Sequence, residues 1–152
     1  MNRRDVVLVG AATTLAHVVT AVAGCAAQTA NAGSTLPPGP AGDARSALQR
    51  AAAECVRAGE ACLAHCIRSL STGSTMMAAC AAKVRVMLAI CHAVEVVATT
   101  DSAHLVALAR ICAAACGECA EACSAHAAHH VECAECERAC RASVAAANAV
   151  VG

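Results

Sequence analysis

The residues that could do chemistry are the cysteines, 13 of them in 152 residues. Twelve fall between positions 55 and 140: Cys55, Cys62, Cys66, Cys80, Cys91, Cys112, Cys116, Cys119, Cys123, Cys133, Cys136 and Cys140. Their separations are dominated by three, four and seven, which are the returns of one helix face. Thiols can act as nucleophiles, close disulfides or bind metal. A nucleophile needs a base beside it. The sequence offers no Ser/His/Asp arrangement and no paired acids on the thiol face, so no catalysis is expected. Cysteines three or four apart on one helix have nearly parallel Cβ directions, a geometry that suits a shared metal better than an S–S bond.

These thiols must be positioned by helices. Hydrophobic residues make up 59 % of the chain, yet Phe, Tyr and Trp are absent and the apolar count is carried by alanine and cysteine. Alanine favours helix strongly and buries little. From Asp43 onward there is no proline and almost no β-branched alternation. Helices are predicted over about 43–71 with Asp43 as N-cap, 74–98, 102–126 and 130–149, broken at Ser71-Thr72-Gly73-Ser74, at Thr99-Thr100-Asp101-Ser102 and at His126–His130. Short connections between long helices give an all-α, up-down-up-down four-helix bundle. At about 100° per residue, each helix gathers its cysteines within roughly 60° of arc or less. That is the face a bundle turns inward, so the core is expected to be lined with thiols.

A rise of 1.5 Å per residue stacks the thiols in layers. Cys66, Cys80, Cys123 and Cys133 lie nearest the end with the first and third connections. Cys62, Cys119 and Cys136 follow, then Cys116 and Cys140, with Cys55, Cys91 and Cys112 deepest. Met87 joins the second helix's stripe. Past the deepest layer the stripes turn aliphatic at Leu48, Val94, Leu105, Leu108 and Val144, which predicts a hydrocarbon plug. The opposite end carries Met76, Met77, His126, His129 and His130, soft and borderline ligands that would line a mouth. His65 and His92 fall about 80–120° off their stripes and are expected on the surface.

Several metals could use such a core. Iron–sulfur clusters take compact loop spacings such as C-x2-C-x2-C-x3-C-P, unlike the helix-face spacings here. Three Zn(Cys)4 sites would use all twelve thiolates and leave about two buried negative charges each. Copper(I) is soft and accepts two thiolates, and if each cysteine bridges two coppers, one Cu(I) per thiolate leaves the interior neutral. The charge balance favours about 12 Cu(I) per monomer. A zinc-binding or iron–sulfur electron-transfer bundle is the alternative.

The inward stripes Cys62-x-x-x-Cys66, Cys112-x-x-x-Cys116, Cys119-x-x-x-Cys123 and Cys136-x-x-x-Cys140, behind an export signal, resemble the bacterial copper storage proteins. The resemblance implies reversible storage of many Cu(I) ions by thiolates within each bundle, admission at a Met/His-bearing end, and tetramers of bundles.

The segment before the bundle reads as an address. Residues 1–24 hold Arg3-Arg4 before a mild apolar run, the pattern of a twin-arginine signal and of periplasmic export. Ala21-Val22-Ala23 fits a signal-peptidase site, whereas Val22-Ala23-Gly24-Cys25 fits a lipobox that would anchor the protein through a lipid on Cys25. Residues 25–42 read as a Pro/Gly-rich linker, and 43–150 as the bundle. Lys+Arg and Asp+Glu balance at 11 each, which with the lack of aromatics argues against nucleic-acid binding. Copper ions are the expected partners, and no feature identifies a copper donor or acceptor protein.

Overall fold

The structure is a computed structural model that describes residues 40–100 and 102–152. The twin-arginine segment, the linker and Cys25 lie outside the described residues. Four helices follow in order: α1 (Pro40–Ser71), α2 (Ala78–Ala98), α3 (Leu105–Ser124) and α4 (Val131–Val151). Each helix packs on its two neighbours around a square, α1 on α2 and α4, α3 on α2 and α4, and the diagonal pairs do not pack backbone to backbone. This is the expected up-down-up-down bundle. No described helix is long and apolar enough to cross a membrane.

Helix ends differ from the sequence expectation for local reasons. α1 starts at Pro40, where the fixed φ and missing N–H of proline suit a first helical turn. Asp43 is therefore not the N-cap; it sits inside the first turn, where its charge still complements the helix dipole. α2 begins at Ala78 rather than 74, because Ser74–Met77 are spent on a turn closed by Ala78 N–H donating to the Thr75 carbonyl at 3.1 Å. Gly73, at φ +90°, makes the reversal after α1. α3 starts at Leu105 rather than 102, after a turn in which the Ser102 hydroxyl accepts the His104 N–H at 3.2 Å. It ends at Ser124, two residues before the expected position.

Close helix approach depends on small residues. Gly59 lies mid-α1 where a Cβ would come within 2.6 Å of the Met87 terminal methyl and 3.0 Å of a Leu88 methyl. Glycine costs helix stability there, yet it lets α2 press against α1. The end away from the α1–α2 turn is closed by Leu48, Ala52, Val94, Leu105, Ala109 and Ala147, all buried. Leu108 and Val144, expected in this plug, are only half-buried and pack against its edge. On α3 and α4 the buried positions there are Leu105, Ala109 and Ala147 instead.

Candidate metal centre

All twelve cysteines between 55 and 140 are fully buried free thiols. Three helices bring three or four each; α2 brings only Cys80 and Cys91, with Val84 and Met87 filling the rest of its inner face. The stripes meet on the axis. Cys62 lies 4.0 Å from Cys80, 3.9 Å from Cys123 and 3.9 Å from Cys133, sulfur to sulfur. Cys80 and Cys123 are 3.6 Å apart, the shortest of these spacings. Next along the axis come Cys119 and Cys136 at 3.9 Å, then Cys91 and Cys116 at 3.7 Å, with Cys112 at 3.8 Å from Cys116. Cys140 bridges the two halves, interacting with Cys119 and Cys136 on one side and with Cys116 and Cys55 on the other. The order follows the helical rise except at Cys62, whose nearest sulfurs, Cys80, Cys123 and Cys133, belong to the layer expected next to it toward the mouth.

No pair of these approaches a disulfide length of about 2 Å. With metal–sulfur bonds of about 2.3 Å, sulfurs 3.6–4.0 Å apart can share one ion. Four sets of three thiols lie mutually within 4.8 Å: Cys55/Cys91/Cys116, Cys62/Cys66/Cys80, Cys62/Cys123/Cys136 and Cys119/Cys136/Cys140. Cys62 and Cys136 each belong to two sets. Three of these sets are chained through Cys62 and Cys136, and Cys62, Cys80 and Cys123 also lie mutually within 4.0 Å, so this part of the column consists of thiols shared between neighbouring sets.

Electrostatics follow from this crowding. A thiolate in a dry core is stabilised chiefly by the S–H groups around it. Cys80 is drawn down to about 3 chiefly by Cys123, and Cys112 to about 4 chiefly by Cys116. Cys55 and Cys136 are also lowered, first by Cys116 and Cys119 respectively. Their neighbours hold their protons more tightly: Cys91 and Cys116 against Cys112, Cys123 against Cys119, and Cys140 against Cys116. Burial alone is the main cause that pushes Cys66 up to about 12 and Cys133 to about 11. Soft cations replacing protons would relieve the whole column at once.

Two further core groups were not singled out by sequence. Ser143 is fully buried and its hydroxyl accepts the Cys55 thiol at 3.2 Å, ending the sulfur column at the plug. It continues the α4 stripe after Cys133, Cys136 and Cys140, so periodicity alone could have found it. Val84 continues the α2 stripe in the same way.

The methionines separate. Met77, preceding α2, is buried at 2 % exposure, Met87 is fully buried, and Met76 is 72 % exposed. The α3–α4 turn gathers histidines: the His130 N–H donates to the His126 carbonyl at 3.1 Å and the two rings lie 6.5 Å apart. His126 and His130 are half-buried, and His129 is exposed. His126 faces the column closely enough to help lower Cys80. His92 is on the surface as expected, paired with Glu95 at 3.3 Å. His65 is partly exposed, its side chain at 18 %, and its ring lies 4.6 Å from that of His130. Its angle on α1 places it off the thiol stripe, but the α3–α4 turn folds His130 over it.

Compared with known families, residues 42–151 match the model of the copper storage protein, Csp. No curated protein sequence matches the chain.

Proposed function

The chain belongs to the copper storage protein family, and from that premise we propose that it holds about twelve Cu(I) ions, one for each core cysteine, by bridging thiolate coordination. The observation that carries this reading is the sharing of Cys62 and Cys136 between triads. Separate zinc sites would need four thiols each, grouped without sharing. A column of overlapping threes instead suits an ion satisfied by few sulfurs, with each sulfur serving more than one ion. One Cu(I) per thiolate also cancels the charge that the dry core could not otherwise carry. The role is storage, for supply or detoxification, with no bond-making step assigned to any residue.

Copper would be admitted at the end bearing Met76, Met77, His126, His129 and His130, since Leu48, Val94 and Leu105 close the other. Thioether and imidazole groups can pass Cu(I) inward without retaining it as strongly as thiolates. The Arg3-Arg4 signal supports export to the periplasm, with Cys25 as the point of lipid attachment if the lipobox is used. Assembly of four bundles is the oligomer that the family resemblance suggests.

Anaerobic titration of the reduced protein with Cu(I), beside a chromogenic Cu(I) chelator, tests the storage reading. No copper reaches the chelator until about twelve equivalents are bound. Saturation at three or four ions would replace storage with zinc-like or iron–sulfur chemistry.

A further inference from the structure

One metal-ligating group lies outside the thiol column with a ring nitrogen unaccounted for. His65 Nε2 is buried and has no hydrogen-bond partner. Leaving a buried polar nitrogen unpaired costs free energy, so the atom calls for a partner that is absent from the polypeptide. Its other nitrogen, Nδ1, lies 3.6 Å from Oε1 of Glu132 in the first turn of α4. That is beyond hydrogen-bond length, but a carboxylate at this edge of the ring favours the tautomer with the proton on Nδ1. Nε2 is then left with a lone pair. The same carboxylate oxygen accepts from the Arg68 guanidinium at 3.5 Å.

The second imidazole is already in place. The His130 ring is tilted by 47° against that of His65 at a centroid distance of 4.6 Å. His130 occupies the N-cap position of α4 with extended backbone, yet its side chain makes no capping hydrogen bond. The imidazole is therefore free for another task. His126 stands one step inward, 6.5 Å from His130.

We propose that His65 and His130 form a nitrogen-ligand site for a borderline divalent cation on the α1–α4 seam, with Glu132 as the positioning residue that fixes the His65 tautomer. Imidazole suits such cations better than it suits Cu(I), and divalent affinity rises along the series to Cu(II). A carboxylate behind a ligating histidine is the usual outer partner of such a site. The site uses no thiolate, so it stands apart from Cu(I) storage and fails or survives independently of it.

The test uses the full chain, first loaded anaerobically with Cu(I) to whatever capacity it shows, so that the thiols are occupied by an EPR-silent ion. One equivalent of Cu(II) is then added and read by continuous-wave and pulsed EPR. The wild type should give a single bound species with couplings to imidazole nitrogens. His65→Gln and His130→Gln should each lose it, and Glu132→Gln should weaken Cu(II) binding by about tenfold to a hundredfold. His92→Gln, at an exposed histidine on α2, should change nothing. The Cu(I) capacity from the loading step should be the same in His65→Gln, Glu132→Gln and His92→Gln as in the wild type, which separates this proposal from the storage reading. If His65→Gln loses its helical circular dichroism, His130→Gln and Glu132→Gln decide. A Cu(II) signal without nitrogen coupling, or one unchanged in His65→Gln and His130→Gln, overturns the proposal.

Discussion

Cys62 touches three other thiols and belongs to two of the four sets of three, whereas Cys112 lies 3.8 Å from Cys116, interacts also with Cys91 and belongs to none of those sets. Cysteines in the same column should therefore differ in worth. Cys62→Ala or Cys136→Ala should lower Cu(I) capacity by more than one ion, and Cys112→Ala by about one; native mass spectrometry of the loaded variants reads the difference. Protonation gives a second expectation. Cys66 and Cys133 are raised by burial to about 12 and about 11 from an ordinary 9.0. Above pH 9 the unfolded chain releases these protons while the folded chain keeps them, so stability is complete below that pH and is lost as pH rises toward 11–12. Cys80 and Cys112, lowered to about 3 and 4, are ionised in both states across this window and add no slope. The melting temperature of reduced, metal-free protein should fall between pH 9 and 12, and an unchanged value would contradict the burial of these two thiols. The inward direction of every core cysteine was legible in sequence because it depends only on 100° per residue. The position of His65 was not, because it depends on how the α3–α4 turn lays His130 across α1.

At the scale of the helix, propensity and punctuation located all four elements, and the errors are confined to ends. Ser74–Met77 and Ser102–His104 read as helical starts in composition, yet both are consumed in closing turns. The plug shows a similar limit. Leu108 and Val144 are apolar and near the stripe, but the buried plug positions on α3 and α4 fall to Leu105, Ala109, Ser143 and Ala147. Which apolar residue reaches the axis depends on interhelical distance, which periodicity does not contain. Gly59 is the element-scale counterpart, a residue whose role is visible only when α2 is in place. Gly59→Val would drive a branched side chain into Met87 and Leu88. It should destabilise the metal-free bundle by about 1–3 kcal/mol, as overpacking does. Chemical denaturation monitored by circular dichroism measures this, and an unaltered midpoint would mean that α1 and α2 are not in close contact at this position.

The bundle has a direction. Buried aliphatic and alanine side chains seal one end, twelve thiols fill the middle, and methionine and histidine stand at the other end. Every thiol is shut from solvent, so copper can reach the column only if a mouth residue moves. Met77, buried beside the first thiol layer with an unbranched, adaptable side chain, is well suited to do so. Replacing Met76, Met77, His126, His129 and His130 together should slow loading from a Cu(I) donor in stopped flow while leaving capacity near twelve. Unchanged rates would place the entrance elsewhere. The central claim is that the ions share thiolates in one continuous column. X-ray absorption at the copper edge, on protein loaded with about twelve equivalents, tests it most directly. The first shell should be sulfur, with strong copper–copper scattering from bridged neighbours. Isolated ions without metal neighbours, or a first shell dominated by nitrogen and oxygen, would contradict it.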